Sequence, residues 1–244
     1  MIIISTDFGS EGPYLGQVKV VLAREAPGVA VIDLFANLPA FEIQAAAYLL
    51  AAYIDEFPSG SVFLCVVDPG VGSDRRAAIV KADGRWFVGP DNGLFNVILQ
   101  RAEQVEWWDI LWRPEHLSRS FHGRDLFAPV AARIARGETV EGLAIEPAAR
   151  LLEGWPPELS KIVYVDHYGN LMTGIRLSSV DESSVMVAGD QSLHRGITFS
   201  SVAPGQALWY GNANGLVEIA VNQGRADRVL GLKVGDRVHF QGRL

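Results

Sequence analysis

The sequence predicts an α/β protein with two domains: an N-terminal domain on a mostly parallel sheet and a smaller C-terminal β-barrel domain. Up to about residue 145, short β-branched runs alternate with helical stretches, which is typical of a parallel sheet covered by helices. After Gly154-Trp155-Pro156-Pro157, only short segments punctuated by glycine follow. Hydrophobic residues make up 49% of the 244 residues, enough for a core in each domain. We place the domains at residues 1–150 and 161–244, with a linker at 151–160.

The N-terminal half predicts strands and helices in alternation. Its β-branched runs predict strands at residues 2–5, 29–34, 61–67 and 77–82. Its helical stretches predict helices at residues 14–25, 42–56, 92–100 and 124–136. Asp83-Gly84 is a hairpin-type turn before a further short run, so at least one strand pair should be antiparallel.

The C-terminal part predicts only short strands. Two consecutive prolines at Pro156-Pro157 cannot continue a helix and favour an extended connector. The alternating segments beyond it lie near residues 161–166, 170–176, 184–188, 206–210, 215–221 and 236–240. This pattern predicts a small barrel or sandwich.

Composition narrows the possible partners and location. The net charge is −7 and the 21 Lys and Arg residues are scattered, so we expect no nucleic acid partner. The single cysteine, Cys65, lies in an apolar run and fits a reducing cytoplasm. Ile2-Ile3-Ile4 reads as a strand rather than a secretion signal. The longest apolar stretch, Ile43 to Ile54, is too short to cross a bilayer, so we expect a cytoplasmic protein without a membrane partner.

Polar residues that directly follow predicted strands are the first candidates for a site, because ligands of open α/β sheets bind at strand carboxyl ends. Asp7 follows the first strand, where its carboxylate could accept two hydrogen bonds from a sugar diol or could simply cap a turn. Asp68 opens Asp68-Pro69-Gly70, either a turn or a close approach to a ligand. Neither a Walker lysine nor a full dinucleotide fingerprint is present.

The remaining polar clusters also allow two interpretations each. Asp91 and Asn92 open a predicted helix, and we favour a capping role for them. His122 precedes another helix, where it could handle a proton or be structural. The segments at 165–170 and 211–218 could be ordinary hairpin turns. A metal site from His122, Asp125, Asp166 and His167 is conceivable by ligand type, but the spacing matches no helix-based ligand pair, so we expect neither metal nor cofactor.

Together these clusters resemble the S-adenosylmethionine hydroxide adenosyltransferases over nearly the full chain. The motifs that carry the resemblance are TDFG at 6–9, VDPGVGSDRR at 67–76, GPDNGL at 89–94, FHGRD at 121–125, DHYGN at 166–170 and GNANGLVEIA at 211–220. The resemblance implies hydrolysis of S-adenosylmethionine to adenosine and methionine, by attack of water at C5'. The fluorinases and chlorinases, which attack the same carbon with halide, are relatives of this family.

The resemblance also implies roles for individual residues. Asp68, Arg75 and His122 would form a water-handling triad, and Asp7 would bind the ribose hydroxyls. In the C-terminal part, Asp166 would pair with the methionine ammonium and Asn170 would meet the adenine edge, with the loop at Asn212 and Asn214 near the amino-acid carboxylate. Tyr14 and Phe41 are candidate apolar walls, or ordinary packing aromatics.

The chain departs from the family pattern at one position and differs from the halogenating relatives at two. The family usually has serine where this chain has Ala213, whereas the halogenating relatives carry tyrosine at the position of Asp68 and serine at that of Gly123. The resemblance further implies a homotrimer with active sites between subunits. Two alternatives stay open: a sensor that binds S-adenosylmethionine or adenosine without turnover, and a halogenase.

Overall fold

The computed structural model describes residues 1–241, which form two compact units. The first unit consists of residues 1–47 and 54–153. The second consists of residues 48–53 together with residues 154–241.

The first unit contains a seven-stranded mixed sheet with the order β2-β1-β3-β5-β4-β6-β7. Its strands are β1 (Ile2–Thr6), β2 (Val31–Phe35), β3 (Val62–Val66), β4 (Ala77–Ala82), β5 (Arg85–Pro90), β6 (Val105–Ile110) and β7 (Gly142–Ile145). β1, β2, β3 and β5 are parallel neighbours, and β4 runs antiparallel to both β5 and β6. Because β6 in turn pairs antiparallel with β7, only β4 and β7 oppose the common strand direction.

Helices and short helical turns accompany this sheet. They are α1 (Tyr14–Glu25), α2 (Ile43–Ala51), α3 (Asn96–Arg101) and α4 (Ala128–Ala135), with 3-10 turns at Ile54–Glu56 and Pro147–Arg150 and a π-helical turn at Gly123–Phe127. Residues 48–51 of α2 already belong to the second unit. Val18 and Leu22 of α1 share one buried cluster with Val130 of α4 and with Ile2 and Ile4 of β1. This apolar packing fixes α1 and α4 against the sheet. Among the helices of residues 1–241, none has the length and apolar character needed to span a membrane.

The parallel strands bring two acidic residues to one edge of the sheet. Every residue of β1 and of β3 is buried, as expected for strands covered on both faces. Thr6 lies opposite Val66 in the register of these two strands. Asp7 continues the pairing, because its backbone N–H donates to the carbonyl of Val66 at 3.2 Å. Asp7 and Asp68 therefore follow neighbouring strands at the same carboxyl edge.

The second unit consists mainly of antiparallel β-structure. A four-stranded sheet has the order β12-β13-β9-β8 and a three-stranded sheet has the order β11-β10-β14. The elements are β8 (Leu159–Val165), β9 (Leu171–Arg176), β10 (Met186–Ala188), β11 (Gln191–Leu193), β12 (Ala207–Gly211), β13 (Leu216–Val221), α5 (Ala226–Leu230) and β14 (Val238–Phe240). Trp209, Ile219 and Phe240 share one core cluster, which both sheets cover.

The α/β class and the β-rich C-terminal part are confirmed, but a closed barrel is not observed among the described strands. Isolated bridges at Lys161–Arg237 and Arg195–Trp209 are the backbone pairings seen between the two sheets within residues 1–241. Continuous ladders therefore do not run around the unit. Two antiparallel sheets on a shared core correspond to the sandwich alternative.

Several element predictions are confirmed, and others need correction. α1 has the predicted bounds, and β4 and β5 form the predicted antiparallel hairpin. The helix expected at 42–56 ends at Ala51, and the one expected at 92–100 begins only at Asn96. The latter starts late because Gly93 adopts a left-handed φ of 102°, which interrupts a helix. The sequence patterns missed β6, β7, β11 and α5.

Candidate active site

Three side chains from separate loops meet in the first unit. Asp68 follows β3, Arg75 precedes β4, and His122 precedes the π-helical turn. Arg75 donates from Nε to Asp68 Oδ1 at 3.0 Å and from Nη2 to Asp68 Oδ2 at 2.5 Å. Arg75 Nη2 also lies 3.2 Å from His122 Nδ1. The three residues expected to act together are thus brought into one hydrogen-bonded group.

This group is largely removed from water. The side chains of Arg75 and Asp68 are only 8% and 4% exposed. A bidentate guanidinium–carboxylate pair is the geometry in which such burial can be offset, since both charges keep strong hydrogen bonds. Arg75 is held further by its Nη1, which donates to the Arg76 carbonyl at 2.6 Å, and by the ring of Phe127, 5.4 Å from the guanidinium carbon. Its orientation is therefore fixed.

The loop between Asp68 and Arg75 has its own internal supports. Ser73 Oγ donates to the Gly70 carbonyl at 2.6 Å and accepts from the Arg75 backbone N–H at 3.2 Å. Gly72 has a left-handed φ of +81°, and a Cβ there would lie 2.4 Å from the Arg119 carbonyl oxygen. Only glycine fits this position without moving the backbone.

The contact with Arg75 defines the protonation state of His122. A guanidinium has donors but no acceptor, so Nδ1 accepts and the hydrogen of the neutral ring is on Nε2. Burial lowers the pKa of His122 below its ordinary value, and the positive charges of Arg75 and Arg113 lower it further. The negative charges of Asp68 and Asp125 oppose that shift. The imidazole is therefore held neutral near Arg75.

Asp7 lies beside this group at the sheet edge. Burial raises its pKa, hydrogen bonds from the backbone amides of Asp7 and Phe41 lower it, and the negative charge of Asp68 raises it. Phe41 has a left-handed φ of 67°, which is unusual for an aromatic residue, and its side chain is 75% exposed. An exposed ring on a strained backbone beside a partly buried carboxylate is suited to contacting a ligand.

An aromatic cluster adjoins His122. The ring centroids of Phe8, Tyr14 and Phe121 lie 5.5 to 6.3 Å apart, and Tyr14 is 52% exposed. Phe8 also packs against Gly123, where an added Cβ would come within 2.7 Å of its Cζ atom. Tyr14 is therefore a half-exposed wall of this cluster, and Gly123 has no room for a side chain.

A second loop supports the Asp68 strand end. Asn92 Nδ2 donates to the Val67 carbonyl at 2.9 Å, and Asn92 Oδ1 accepts from the backbone N–H of Leu94 at 3.2 Å. Arg150 lies between Asp91 and Asp109, at 3.4 Å and 2.6 Å respectively. These contacts give Asn92 a supporting role one residue away from Asp68.

In the second unit, Asp166 and Asn170 close one hairpin turn. Asp166 Oδ1 accepts from the Asn170 backbone N–H at 2.8 Å, and Asp166 Oδ2 accepts from Asn170 Nδ2 at 3.0 Å. Arg225 supports the same turn by donating from Nη1 to the His167 carbonyl at 2.8 Å. Asn170 is buried, and its amide oxygen is not used by these bonds. The pair is pre-organised, with acceptor capacity left on both side chains.

A buried acidic group lies in the same unit and was not predicted from the sequence. Glu218 on β13 is 3% exposed and accepts hydrogen bonds from the Tyr210 hydroxyl and, at 2.9 Å, from Asn212 Nδ2. Burial raises the pKa of Glu218, and the negative charge of Asp166 raises it further. Burial also raises the pKa of Tyr53, and the negative charge of Glu218 raises it further, to about 12. Two carboxylates thus share one poorly solvated region of this unit.

The turn at 211–215 is organised by the side chain of Asn212. Asn212 Oδ1 accepts from the backbone amides of Asn214 and Leu216 at 3.0 and 2.9 Å. With Nδ2 bonded to Glu218, the Asn212 side chain organises the turn. Asn214 contributes a backbone N–H to that turn, next to Ala213.

Family models match both parts of the chain. The model described as the SAM hydroxide adenosyltransferase N-terminal domain matches residues 2–144, and the model described as the C-terminal domain of the same family matches residues 160–239. The chain belongs to the SAM hydroxide adenosyltransferase family.

Curated proteins are similar to this chain over most of their length. A protein of Thermus thermophilus named (R)-S-adenosyl-L-methionine hydrolase is 40% identical, covering 94% of this chain and 95% of the relative. A protein of Salinispora arenicola with the same name is 37% identical, covering 97% and 96%. A fluorinase of Actinoplanes is 21% identical over 76% of this chain and 74% of the relative.

Solved structures share the fold of this chain. An uncharacterised conserved protein from Thermotoga maritima matches with a TM-score of 0.85 and 32% identity, covering 98% of this chain and 99% of the other. A conserved hypothetical protein from Thermus thermophilus matches with a TM-score of 0.78 and 34% identity, covering 98% of each chain.

The sequence patterns also missed several groups in the first unit. Phe8, Arg113 and Arg119 were not singled out, although Phe8 lies within the quoted TDFG motif. The arginines lie in a segment without a recognisable period, so only the folded structure brings them to the site. Within residues 1–241, no group of three or more His, Cys, Asp or Glu side chains is arranged to hold a metal ion.

Proposed function

We propose that this chain hydrolyses S-adenosyl-L-methionine to adenosine and L-methionine. The observation that carries the proposal is the buried contact of Arg75 with both Asp68 and His122. A guanidinium fixed between a carboxylate and a neutral imidazole can hold one water molecule and stabilise hydroxide character on it. The names of the curated relatives support this choice of substrate.

The chemistry requires no acid catalyst. Water attacks C5' on the side opposite sulfur, so the C5'–O bond forms as the C5'–S bond breaks. Sulfur keeps the electron pair and leaves as the neutral thioether of methionine. The protein's task is to position a weak nucleophile and accept one proton from it.

The hydrogen bonding favours Asp68 as the group that accepts this proton. His122 Nδ1 is already used by Arg75, and the neutral ring offers an Nε2–H donor. Each oxygen of Asp68 accepts one bond from Arg75 and keeps a further lone pair. His122 then orients the water, and Arg75 stabilises the developing negative charge.

The other site residues are assigned to parts of the substrate. Asp7, at the same sheet edge as Asp68, accepts hydrogen bonds from the ribose hydroxyls, and the exposed rings of Tyr14 and Phe41 contact the adenosyl group. In the second unit, Asp166 pairs with the methionine ammonium and Asn170 meets the adenine edge through its amide oxygen. Glu218, whose two oxygens accept hydrogen bonds from Tyr210 and Asn212, adds negative charge for the cationic substrate.

The configuration at sulfur is part of the proposal. The names of the relatives from Thermus thermophilus and Salinispora arenicola specify the (R) configuration. We extend that preference to this chain, because 40% identity to the former covers nearly the whole of both proteins. Separate assays on the (R) and (S) sulfonium epimers test it.

Two features count against a halogenase. Asp68 places a negative charge where an incoming halide would be repelled unless Arg75 screened it fully. At Gly123, where the halogenating relatives have serine, an added side chain would require the ring of Phe8 to move. A sensor without turnover would need Asp7 and Asn170 to bind adenosine, but it would not need the Asp68–Arg75–His122 group.

The experiment is a direct product assay. Purified protein is incubated with each S-adenosylmethionine epimer, and adenosine and methionine are followed by chromatography, with chloride-containing and chloride-free buffers in parallel. Equal amounts of adenosine and methionine that disappear in His122→Ala support the proposal. Tight binding without adenosine would indicate the sensor, and 5'-chloro-5'-deoxyadenosine would indicate the halogenase.

Assembly and location complete the proposal. We infer a homotrimer whose active sites take residues from two subunits, which rests on the family. Cys65 is fully buried, and burial strongly raises the pKa of its thiol. The thiol therefore stays protonated and inert, which suits a reducing cytoplasm.

A further inference from the structure

The first unit contains a positively charged cavity on one side of the catalytic group. It has a volume of about 260 Å³ and is lined by Arg75, Arg113, Arg119 and His122 together with Gly72, Ser73, Ala77, Leu117 and Leu126. Three guanidinium groups therefore border one cavity. None of the lining residues within the described part of the chain is acidic.

Two of these arginines have no carboxylate partner. Within residues 1–241, neither Arg113 nor Arg119 takes part in an ion pair, whereas Arg75 is neutralised by Asp68. Arg113 is nevertheless fixed, because its Nη1 donates to the carbonyls of Ile110 and Trp112 at 2.7 and 2.8 Å. Its Nε and Nη2 donors are left for other acceptors.

One nearby carboxylate is already committed to other partners. Asp125, whose charge reaches His122, is paired with Arg124 and accepts from the Ser118 backbone N–H at 3.0 Å. The net charge of the whole chain is −7. Two uncompensated guanidinium groups at one cavity of an acidic protein are a local charge arrangement that attracts an anion.

The walls of the cavity restrict the kind of anion. Leu117, Leu126 and Ala77 supply apolar surface, and Ser73 adds a hydroxyl that already donates to the Gly70 carbonyl. Guanidinium groups match the paired oxygens of phosphate better than a single-atom halide, since each presents a planar fork of donors. We propose that this cavity binds a phosphate group, held by Arg113 and Arg119 next to the catalytic Arg75–His122 pair.

The site is separate from the contacts proposed for the substrate. Asp7, Tyr14 and Phe41, assigned above to the adenosyl group, are not among the residues that line the cavity. An anion bound here would contact the catalytic Arg75 and His122 without using the residues assigned to the nucleoside.

The test measures binding and does not depend on activity. Sodium phosphate, and in a second arm glycerol 1-phosphate, replaces sodium chloride at constant ionic strength during calorimetric titration of the full-length protein. We expect saturable binding that weakens by about tenfold in Arg113→Gln and by about a further tenfold when Arg119→Gln is added to it, since each substitution removes one charged hydrogen-bonding partner. The tighter of the two arms identifies free phosphate or a phosphate ester as the occupant.

The control replaces two exposed arginines outside the cavity, Arg24→Gln with Arg228→Gln, so that its total charge equals that of the variant carrying both Arg113→Gln and Arg119→Gln. This control should bind phosphate as the unaltered protein does. Equal weakening in the control, displacement of phosphate by adenosine, or no saturation below about 50 mM phosphate would each overturn the proposal. Thermal unfolding of every variant verifies that it is folded, and none of these outcomes depends on whether the chain hydrolyses S-adenosylmethionine.

Discussion

Arg75 Nη2 donates a hydrogen bond of 3.2 Å to His122 Nδ1, although the two residues are 47 positions apart in the chain. This bond determines which ring nitrogen carries the hydrogen, because an arginine can only donate. It also couples the histidine to the buried Asp68 carboxylate through one guanidinium. Removing the arginine should therefore disturb all three residues at once.

Replacing Arg75 by lysine should lower kcat by roughly a hundredfold or more, because an ammonium cannot reproduce the fork that bonds both Asp68 oxygens and His122. The matched control is Arg76→Lys, whose side chain is 60% exposed and contacts Asp109 only at 3.8 Å. Steady-state adenosine formation measures both. Comparable rates for the two variants would contradict the role given to Arg75.

On the acid side, kcat/KM should decline with a midpoint below pH 6.5, because burial and the charge of Arg75 lower the pKa of His122 from 6.5. Protonation of Nδ1 would break the bond from Arg75. The same shift favours folding above pH 6.5, and that contribution is lost as the pH falls through the lowered pKa. Rate profiles between about pH 5 and 9 measure the limb.

The control for this profile is His122→Asn, which keeps an acceptor for Arg75 but does not titrate. Its rate should be lower, and the limb due to His122 should be absent. An unchanged acid limb in this variant would assign the titration to another group, of which Asp7, whose pKa is raised, is the candidate.

Gly123→Ser should destabilise the protein by about 1 to 3 kcal/mol and should give no halogenated product, because the added Cβ would lie 2.7 Å from Phe8 Cζ. Gly16→Ser is the control, since a Cβ at Gly16 meets nothing within 4 Å. Urea unfolding measures stability, and chromatography in chloride measures products. A stable Gly123→Ser protein that forms 5'-chloro-5'-deoxyadenosine would refute the steric argument.

Tyr210→Phe should cost about 1 to 3 kcal/mol of unfolding free energy, because it removes a hydrogen bond to the buried Glu218 carboxylate. Tyr168→Phe, at a side chain that is 72% exposed, should be nearly neutral. Chemical denaturation of both variants provides the comparison.

If Glu218 also attracts the substrate cation, Glu218→Gln should raise KM more than it lowers kcat.

Mixing Asp68→Ala and Asp166→Ala subunits should restore about one quarter of the unaltered activity if each site takes its first-unit residues from one subunit and its second-unit residues from another. An intact site then needs an Asp166→Ala subunit on one side and an Asp68→Ala subunit on the other, each with a probability of about one half. Activity after joint refolding, compared with each variant refolded alone, measures this. No recovery from a mixture that forms trimers would argue against shared sites.

Much of the fold could be predicted because it depends on local patterns. α1 begins at Tyr14 and ends at Glu25 as its apolar spacing indicates, and Asp83-Gly84 makes the expected hairpin. β6 was missed because Glu106 and Asp109 interrupt its apolar alternation, and only Trp107 and Ile110 are buried. Its place in the sheet depends on pairing with β4, which no local pattern reveals.

The candidate site was predictable to a different degree. Asp68, Arg75 and His122 lie in recognisable motifs, and they meet in the structure. The position of Asn212 in a turn motif did not reveal that its amide oxygen binds two backbone N–H groups of that turn. Glu218 looked like one residue of an alternating strand, and its burial beside Tyr210 follows from the packing of the whole unit.

By itself the sequence determined the α/β alternation, the strand ends that carry acidic residues, and the motifs that contain Asp68, Arg75 and His122. Only the tertiary structure decided which nitrogen of His122 is protonated, that Phe8 fills the space beside Gly123, and that Arg113 and Arg119 border a cavity. Composition and periodicity act over a few residues, whereas these features depend on strand order and on loops that meet across the sheet.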